Sequence, residues 1–310
     1  MAEFSIIDHY FNRQTIASSD VNIVDLGVGD DSAVLTPPPQ QQLVICTDTL
    51  VAGRHFPLNT SPHAIGWKSV AVNLSDIAAM GAKPQSILLA LSLAQIDHDW
   101  LTGFSQGLYD CCDQFGVSLI GGDTTQSPHL TISVTALGWI ETGHAITRSG
   151  AQVGDYICVS GTLGDAAYAL HNLGHPLQQR LDYPTPRCRL GQQLKGLASS
   201  MIDISDGLAQ DLGHILKASQ VGAQIQLDQL PISEALRILP QEKQWQHALA
   251  GGDDYELCFT INPQNYKKLL QQQSDVNITN IGQITQQSAL TFVQNGVDHL
   301  LQFHGYQHFA

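Results

Sequence analysis

The common phosphate signatures are missing from this chain. There is no GxxxxGK(S/T) loop, no GxGxxG opening a helix, no protein-kinase catalytic loop and no HExxH zinc motif. A phosphate-handling protein built from this sequence must therefore use another scheme. Basic residues are scarce: 14 Lys and Arg stand against 28 Asp and Glu, a formal charge of -14. That balance disfavours nucleic acid and anionic membrane as partners, because both need stripes of Lys and Arg and none is present. Anion binding then requires divalent metal to invert the local potential. The cysteines, Cys46, Cys111, Cys112, Cys158, Cys188 and Cys258, form no CxxC or knuckle spacing. They read as structural thiols of a reducing compartment, not as disulfides or zinc ligands. The 13 histidines show no close pairing on a helix, which also argues against zinc. The most apolar run, Ile87 to Ala94, is too short to span a bilayer. Residues Met1 to Phe11 carry Glu3 and Asp8 and lack a basic-then-apolar leader, so a cytoplasmic location is expected.

What is present is a chain of 310 residues, 43% hydrophobic and 14% charged, enough for two domains with real cores. Leu43–Cys46 reads as a strand ending at Thr47-Asp48. Ser61-Pro62 opens a helix whose apolar positions Ile65, Val70, Leu74, Ile77 and Ala78 recur at helical spacing, and Gly81 with Pro84 stops it. Strands are expected at Ser86–Leu93, Val117–Ile120 and His129–Trp139, with a helix at Trp100–Phe115 closed by Gly116. The Gly-, Thr- and Ser-rich stretch Glu141–Asp155 joins two patterned halves, giving domains 1–144 and 145–310. Beyond it, strands are expected at Tyr156–Ser160, Met201–Ile204 and Tyr255–Ile261, and helices at Leu163–Leu173, Gly191–Ala198 and Gly207–Ala218. Leu227–Leu230 reads as a strand, with helices near Ser233 and Trp245. Interleaved helices and strands define an α/β class with mixed (α+β) sheets.

Five Asp-bearing clusters punctuate this pattern: Gly29-Asp30-Asp31, Thr47-Asp48-Thr49, Gly121-Gly122-Asp123-Thr124, Asp203-Ile204-Ser205-Asp206-Gly207 and Gly251-Gly252-Asp253-Asp254. Carboxylates gathered in one place repel, at about 4 kcal/mol for 4 Å and an effective dielectric near 20, unless cations intervene. Convergence of the clusters would thus imply a site for several magnesium ions and phosphate. Taken singly, each has an ordinary alternative. Gly-Asp runs make turns, Ser205 or Asp206 suits a helix N-cap, and Glu256 fits an exposed edge strand. Asp76 lies on a helix with an apolar face, where a ligand and a half-exposed Asp are equally good readings. His55 and Arg148 are candidate anion binders that, alone, are plain surface groups.

In order along the chain, Gly29–Val34, Thr47–Val51 with His55-Phe56, Lys68–Pro84, Gly121–Thr125, Thr147–Ala151, Asp203–Leu208, Gly252–Leu257 and Gly305–Phe309 resemble the thiamine-monophosphate kinase family. That family belongs with the aminoimidazole ribonucleotide and selenophosphate synthetases. The resemblance implies a two-domain synthetase-like fold. Its N-terminal α/β domain binds ATP and magnesium and forms a β-barrel across a homodimer, and its C-terminal α/β domain completes the substrate site. It also implies ATP-dependent phosphorylation of thiamine monophosphate with several Mg²⁺ ions. By motif position, Asp30, Cys46, Thr47, Asp48, Asp76, Asp123, Asp203 and Asp206 hold metal, with Asp123 and Asp206 central to catalysis. Cys46 replaces the usual hydroxyl residue, so its contribution is expected from backbone. Gly121, Gly122, Arg148 and Ser205 are implied ATP contacts. His55, Glu256 and Tyr306 are implied substrate contacts. Arg54 and Asp253 depart from the family pattern.

The rival readings are weaker. A selenophosphate synthetase carries a reactive Cys in a glycine-rich N-terminal stretch, whereas the first cysteine here is Cys46. The Arg148 and Gly305–Phe309 patterns favour the thiamine enzymes over aminoimidazole ribonucleotide synthetase. A non-catalytic magnesium–nucleotide protein remains a reading from another class. An Asp-nucleophile phosphatase would need DxDxT, and Thr47-Asp48-Thr49 lacks the second acid.

Overall fold

The computed structural model describes residues 3–13, 23–301 and 305. The chain divides into two compact units, residues 1–77 with 82–143, and 78–81 with 144–310.

The N-terminal unit begins with a short helix α1 (Glu3–Ile6) continued by one wide turn at Ile7–Phe11. Next comes a small ribbon of β1 (Val24–Leu26) and β2 (Val34–Leu35). Its main sheet holds β3 (Gln41–Val51), β4 (Lys83–Leu93), β5 (Ser118–Gln126) and β6 (Thr131–Glu141) in the order β3-β6-β4-β5. Only the β4–β5 pair is parallel. Helices α2 (Pro62–Ala79) and α3 (His98–Phe115) supply the other layer. As the sequence suggests, Ser61 caps α2, its Oγ accepting the Ala64 N–H at 3.2 Å. Asp97 caps α3 through Trp100 N–H, and Gly116 closes it in the left-handed conformation, φ 66°. The two helices touch backbone to backbone at Gly66 and Gly107: a Cβ at Gly66 would lie 2.1 Å from the Phe104 carbonyl oxygen, so only glycine fits. Ile77, Leu74, Phe104, Leu108, Ile87 and Ile132 are fully buried in this unit. On β3, Leu43 and Ile45 remain 42% and 58% exposed. The same face carries the hydroxyl pairs Thr47–Thr135 (3.0 Å) and Thr49–Ser133 (2.7 Å) across to β6.

In the C-terminal unit a seven-stranded mixed sheet has the order β13-β12-β9-β11-β7-β10-β8. Its strands are β7 (Tyr156–Ser160), β8 (Ala198–Asp203), β9 (Gly222–Gln226), β10 (Leu257–Ile261), β11 (Ile278–Thr285), β12 (Leu290–Gln294) and β13 (Val297–His299). Helices α4 (Asp165–His171), α5 (Gln178–Asp182), α6 (Cys188–Gln193), α7 (Leu208–Ser219), α8 (Glu234–Arg237), α9 (Gln241–Ala250) and α10 (Pro263–Leu269) connect them. Leu208, Leu212 and Ile215 of α7 recur at helical spacing and pack with Ile157, Val159, Ile202 and Ile225 in one core. The mixed α/β class read from the sequence is the one observed.

Several expected boundaries move. Strand β3 continues through Thr47-Asp48 to Val51, because all eleven residues register with β6 from Gln41↔Glu141 to Val51↔Thr131. Likewise β5 runs through Gly121-Gly122-Asp123 to Gln126, paired with β4 as far as Leu93. Polar residues persist in these strands because neighbouring backbones satisfy their N–H and C=O groups. The segment at Leu227–Gln229 is a single 3₁₀ turn, not a strand; the strand is β9, one step earlier, where β11 and β12 offer partners. Helix α6 starts and ends before the expected Gly191–Ala198 because Ala198 already pairs with Ile261 in the sheet. All six cysteines are free thiols, five of them buried. No helix among the described residues is long and apolar enough to cross a membrane.

Candidate functional site

In the N-terminal unit Asn73 of α2 ties the Cys46–Asp48 stretch of β3 to the helix that carries Asp76. From Ser69 to Ala79 every residue of α2 is buried except Asp76, which is half-buried. One turn earlier, Asn73 accepts the Asp48 N–H on Oδ1 at 2.9 Å, while its backbone oxygen accepts the Cys46 thiol at 3.3 Å. Asn73 is itself held by Ser69, whose carbonyl takes its Nδ2 at 3.0 Å. Asp48 and Asp76 thus lie on adjoining elements about Cys46. Burial first, then the charges of Asp76 and Asp48, push the Cys46 thiol well above the usual thiol range. The Thr47 hydroxyl bonds to the Val134 carbonyl at 3.0 Å and receives Thr135, so it faces β6 rather than Asp76.

Pairing sets Asp48, Val134, Leu89 and Gly122 in one row across the sheet, with Asp123 next and exposed. Gly122, at φ 148°, packs its backbone on β4: a Cβ would sit 1.8 Å from the Leu89 oxygen. Asp30 lies in the exposed turn between β1 and β2, its Oδ1 accepting the Asp31 N–H at 2.9 Å. His55 follows β3 in a turn, and its Nδ1 accepts the Val51 N–H at 3.0 Å. With Nδ1 an acceptor, the neutral ring presents Nε2–H.

The C-terminal unit gathers its acids more tightly. Asp203 ends β8 and is 5% exposed. The following segment is held on both sides by backbone bonds: Ile204 N–H to Glu256 O, Tyr255 N–H to Ile204 O, and Asp253 N–H to Ser205 O, each 2.8–2.9 Å. Neither Ser205 nor Asp206 caps α7; the cap position is Gly207, at φ 118°. Instead Asp211, from the first turn of α7, reaches back, and its Oδ2 accepts the N–H groups of Ser205, Asp206 and Gly207, each at 3.1 Å. Asp206 in turn accepts Gln210 Nε2 at 2.9 Å. Burial, then the charges of Asp203 and Asp206, push Asp211 up to about 7. Arg148 has an exposed side chain, and its carbonyl takes the Ser219 hydroxyl at 3.3 Å. Tyr306 lies outside the described residues. Its neighbour Gly305 abuts the Asp206 backbone, with a Cβ there 2.6 Å from the Asp206 carbonyl oxygen.

Glu256, an implied substrate contact, is not the exposed edge-strand residue that the alternative required. It is 0% exposed. Its carboxylate takes Ser160 Oγ at 2.5 Å, Arg180 at 2.8 Å and Arg187 Nε at 2.6 Å, with a second, shorter Arg187 contact. A carboxylate so enclosed and so fully bonded ties β7, α5 and the start of α6 to β10. Burial opposes the Arg187 charge, but hydrogen bonding to Glu256 and its negative charge outweigh it and raise the guanidinium pKa. Beside it Asp254, 2% exposed, accepts the Gly164 N–H on both oxygens at 2.9 and 3.1 Å. Burial raises the Asp254 pKa well above the carboxylate range.

In each unit the candidate donors are hard oxygens, which suit magnesium and not zinc or copper. In the N-terminal unit Asp30, Asp48, Asp76 and Asp123 retain exposure; in the C-terminal unit Asp206 does, while Asp203 is buried. Among the described residues, no three His, Cys, Asp or Glu side chains enclose a metal position by themselves. Magnesium that dehydrates reluctantly is bound through one or two carboxylates plus substrate phosphate, so a protein-only cage is not the form to look for. Sequence reasoning singled out Asp254 only as part of a Gly-Asp cluster, and it gave no role to Asn73, Asp211, Arg180 or Arg187. Two had a visible signal. Ser69, Asn73 and Asp76 form an i, i+4, i+7 polar stripe in an apolar helix, and Asp211 interrupts the apolar stripe of Leu208, Leu212 and Ile215. The arginine pair had none.

Residues 29–140 match the AIR synthase related protein N-terminal domain, and residues 152–294 the corresponding C-terminal domain. A thiamine-monophosphate kinase of Escherichia coli K12 is 46% identical over 323 residues, 99% of this chain and 98% of the relative. The crystal structure of a thiamine-monophosphate kinase from Stenotrophomonas maltophilia K279a is 44% identical, with a TM-score of 0.86 over 96% of this chain and 98% of that one. AaThiL complexed with AMPPCP and TMP is 30% identical, with a TM-score of 0.78 over 88% and 89% of the two chains.

Proposed function

The chain belongs to the AIR synthase related family and, within it, to the thiamine-monophosphate kinases, and from that membership we propose that it transfers the terminal phosphoryl group of ATP to thiamine monophosphate, giving thiamine diphosphate. The observation that carries this reading is full-length identity of 46% to such a kinase, joined to a set of exposed hard-oxygen donors. A relative complexed with AMPPCP, an ATP analogue, and TMP supports the same pair of ligands here.

The residues suit the chemistry. Phosphoryl transfer asks a protein chiefly for positioning and charge neutralisation. The acceptor is a phosphate oxygen, already nucleophilic at neutral pH, so no general base is required. Asp30, Asp48, Asp76 and Asp123 of residues 1–144, and Asp203 and Asp206 of residues 145–310, would hold Mg²⁺, with Thr47 and Cys46 offering backbone oxygens. When bound, magnesium neutralises the phosphates of both substrates in a chain of formal charge -14. Gly121, Gly122, Ser205 and Arg148 contact the nucleotide, Arg148 as a cation on phosphate. His55, through Nε2–H, and Tyr306, by stacking, contact thiamine monophosphate. Glu256 acts at one remove, by anchoring Arg180 and Arg187. Transfer is in line and direct, without a phosphoenzyme. The open face of β3, bearing Leu43 and Ile45, supports a homodimer in which this sheet pairs with its copy into a barrel. A cytoplasmic location accords with the free thiols.

A coupled assay of ADP release across a panel of phosphorylated vitamins and nucleotides tests the reading. Thiamine monophosphate should be the substrate that stimulates release, with sequential kinetics, and Asp206→Asn should abolish most of it in a folded protein. No stimulation, ping-pong kinetics or a trapped phospho-aspartate would overturn it.

A further inference from the structure

We infer that Asp211 is a positioning residue that fixes the Asp203–Gly207 segment for the metal–nucleotide complex through three converging backbone bonds, without being a ligand itself. The inference rests on the proposed reading for the metal–nucleotide role of Asp203, Ser205 and Asp206. The geometry is specific. One oxygen, Oδ2, receives three consecutive N–H groups, from Ser205, Asp206 and Gly207. The Asp211 residue is 3% exposed, whereas Ser205 is exposed and Asp206 half-buried. Asp211 therefore sits on the inner side of the turn, and the residues it holds present their side chains outward.

The other tethers of this segment leave a gap that Asp211 fills. Ile204 and the Ser205 carbonyl are bonded to the Asp253–Glu256 stretch, but the N–H groups of residues 205–207 have no partner in that stretch. Without Asp211, three donors at the start of α7 lose this shared acceptor, the Gly207 N–H in a buried position. The cheapest relief is for the turn to rotate, which swings the Asp206 carboxylate away from its Gln210 contact. A second consequence follows from chemistry. A carboxylate whose one oxygen is filled by three backbone donors is poorly placed to lend that oxygen to a cation. What Asp211 supplies is geometry, and an amide oxygen at the same point can supply most of it.

Three variants separate geometry from charge. Asp211→Asn keeps an acceptor at the same point and drops the charge. Asp211→Glu keeps the charge and displaces it by one methylene. Asp211→Ala removes both. Mn²⁺ binding in the presence of AMPPCP, followed by electron paramagnetic resonance, reads the site without turnover, and KM for MgATP reads it with turnover. Asp211→Asn should stay within about threefold of wild type in both measurements, while Asp211→Glu and Asp211→Ala weaken Mn²⁺ binding and raise KM about tenfold or more. An Asn variant as impaired as the Glu or Ala variant would show that the charge itself is needed and would overturn the inference. Ala and Glu variants that bind Mn²⁺ like wild type would overturn it too, leaving a purely structural Asp211. Should the Ala variant fail to fold, the order of Asn against Glu carries the test. A wild-type protein that bound Mn²⁺–AMPPCP but ignored thiamine monophosphate would sink the kinase reading and leave this comparison standing.

Discussion

Replacing Glu256 by Gln discriminates sharply between a structural and a substrate-binding carboxylate. The side chain is 0% exposed and accepts from Ser160, Arg180 and Arg187. Glutamine keeps the size and one acceptor, but it removes the charge facing two guanidinium groups and turns an NH₂ toward one of them. Breaking a buried ion pair in this one-sided way costs about 3–5 kcal/mol, because the partner charges stay desolvated. The Arg187 and Arg180 side chains are 17% and 21% exposed, so some solvent relief is available and the lower end applies. About 3 kcal/mol in a unit of this size displaces Tm by about 6–12 °C. Differential scanning calorimetry measures it. In a double-mutant cycle, Glu256→Gln with Arg187→Gln should lose about 1–3 kcal/mol less than the sum of the single losses. At a temperature where the variant is folded, KM for thiamine monophosphate should change little. A variant melting within about 2 °C of wild type yet showing a large rise in that KM would refute the structural assignment and restore the contact read from the sequence.

Gly122→Ala should lower Tm regardless of ligand, since left-handed strain alone costs about 1–3 kcal/mol and the new Cβ would meet the Leu89 oxygen; an unchanged melting curve would refute the packing argument. Asp254 has a folded pKa raised by burial, so its stabilising contribution is complete below the unfolded value near 3.9 and is lost as pH rises toward the folded pKa. Asp254→Asn, which mimics the neutral acid, should match wild type near pH 4 and become the more stable of the two as pH increases, with an opposite trend in chemical denaturation counting against burial as the cause. Ile45→Lys, on the open face of β3, should convert a dimer measured by light scattering into a monomer whose Tm is nearly that of the folded unit; a dimer that survives this charge does not use that face.

Much of the fold was legible because its signals are local. The Ser61-Pro62 start, the Gly116 stop, the apolar period of α2 and the compact run Tyr156–Ser160 are all set by residues within a few positions of one another. The extensions of β3 and β5 were not, since polar residues continue as strand only when a neighbour accepts their hydrogen bonds, and that neighbour is remote in sequence. The same distinction governs the site. Asp30, Asp48, Asp76, Asp123, Asp203 and Asp206 each had an ordinary reading alone and were proposed as ligands only through the order of the motifs. Glu256 also had an ordinary reading, but what it meets, Arg180 and Arg187, lies about seventy residues away and bears no motif, so its company could not be read.

The glycines of these motifs carry less functional weight than their pattern suggests. Gly122 is required by the Leu89 carbonyl, and Gly252 by the Ser205 oxygen, 2.4 Å from where its Cβ would stand. Packing alone would keep both, with no phosphate to approach. Asp76 differs: it is the one position of Ser69–Ala79 that is not buried, its charge faces the Cys46 thiol, and alanine is the better helix former there. Asp123 ends exposed on an edge strand where β-propensity disfavours it. Two positions where local stability argues for another residue, on elements that are otherwise well packed, are where function is expected to override the fold. An Asp76→Ala protein should therefore melt no lower than wild type while losing ADP release with thiamine monophosphate. A variant that instead unfolded, with activity per folded molecule intact, would move Asp76 to the structural side and leave the magnesium assignment without its best-placed donor.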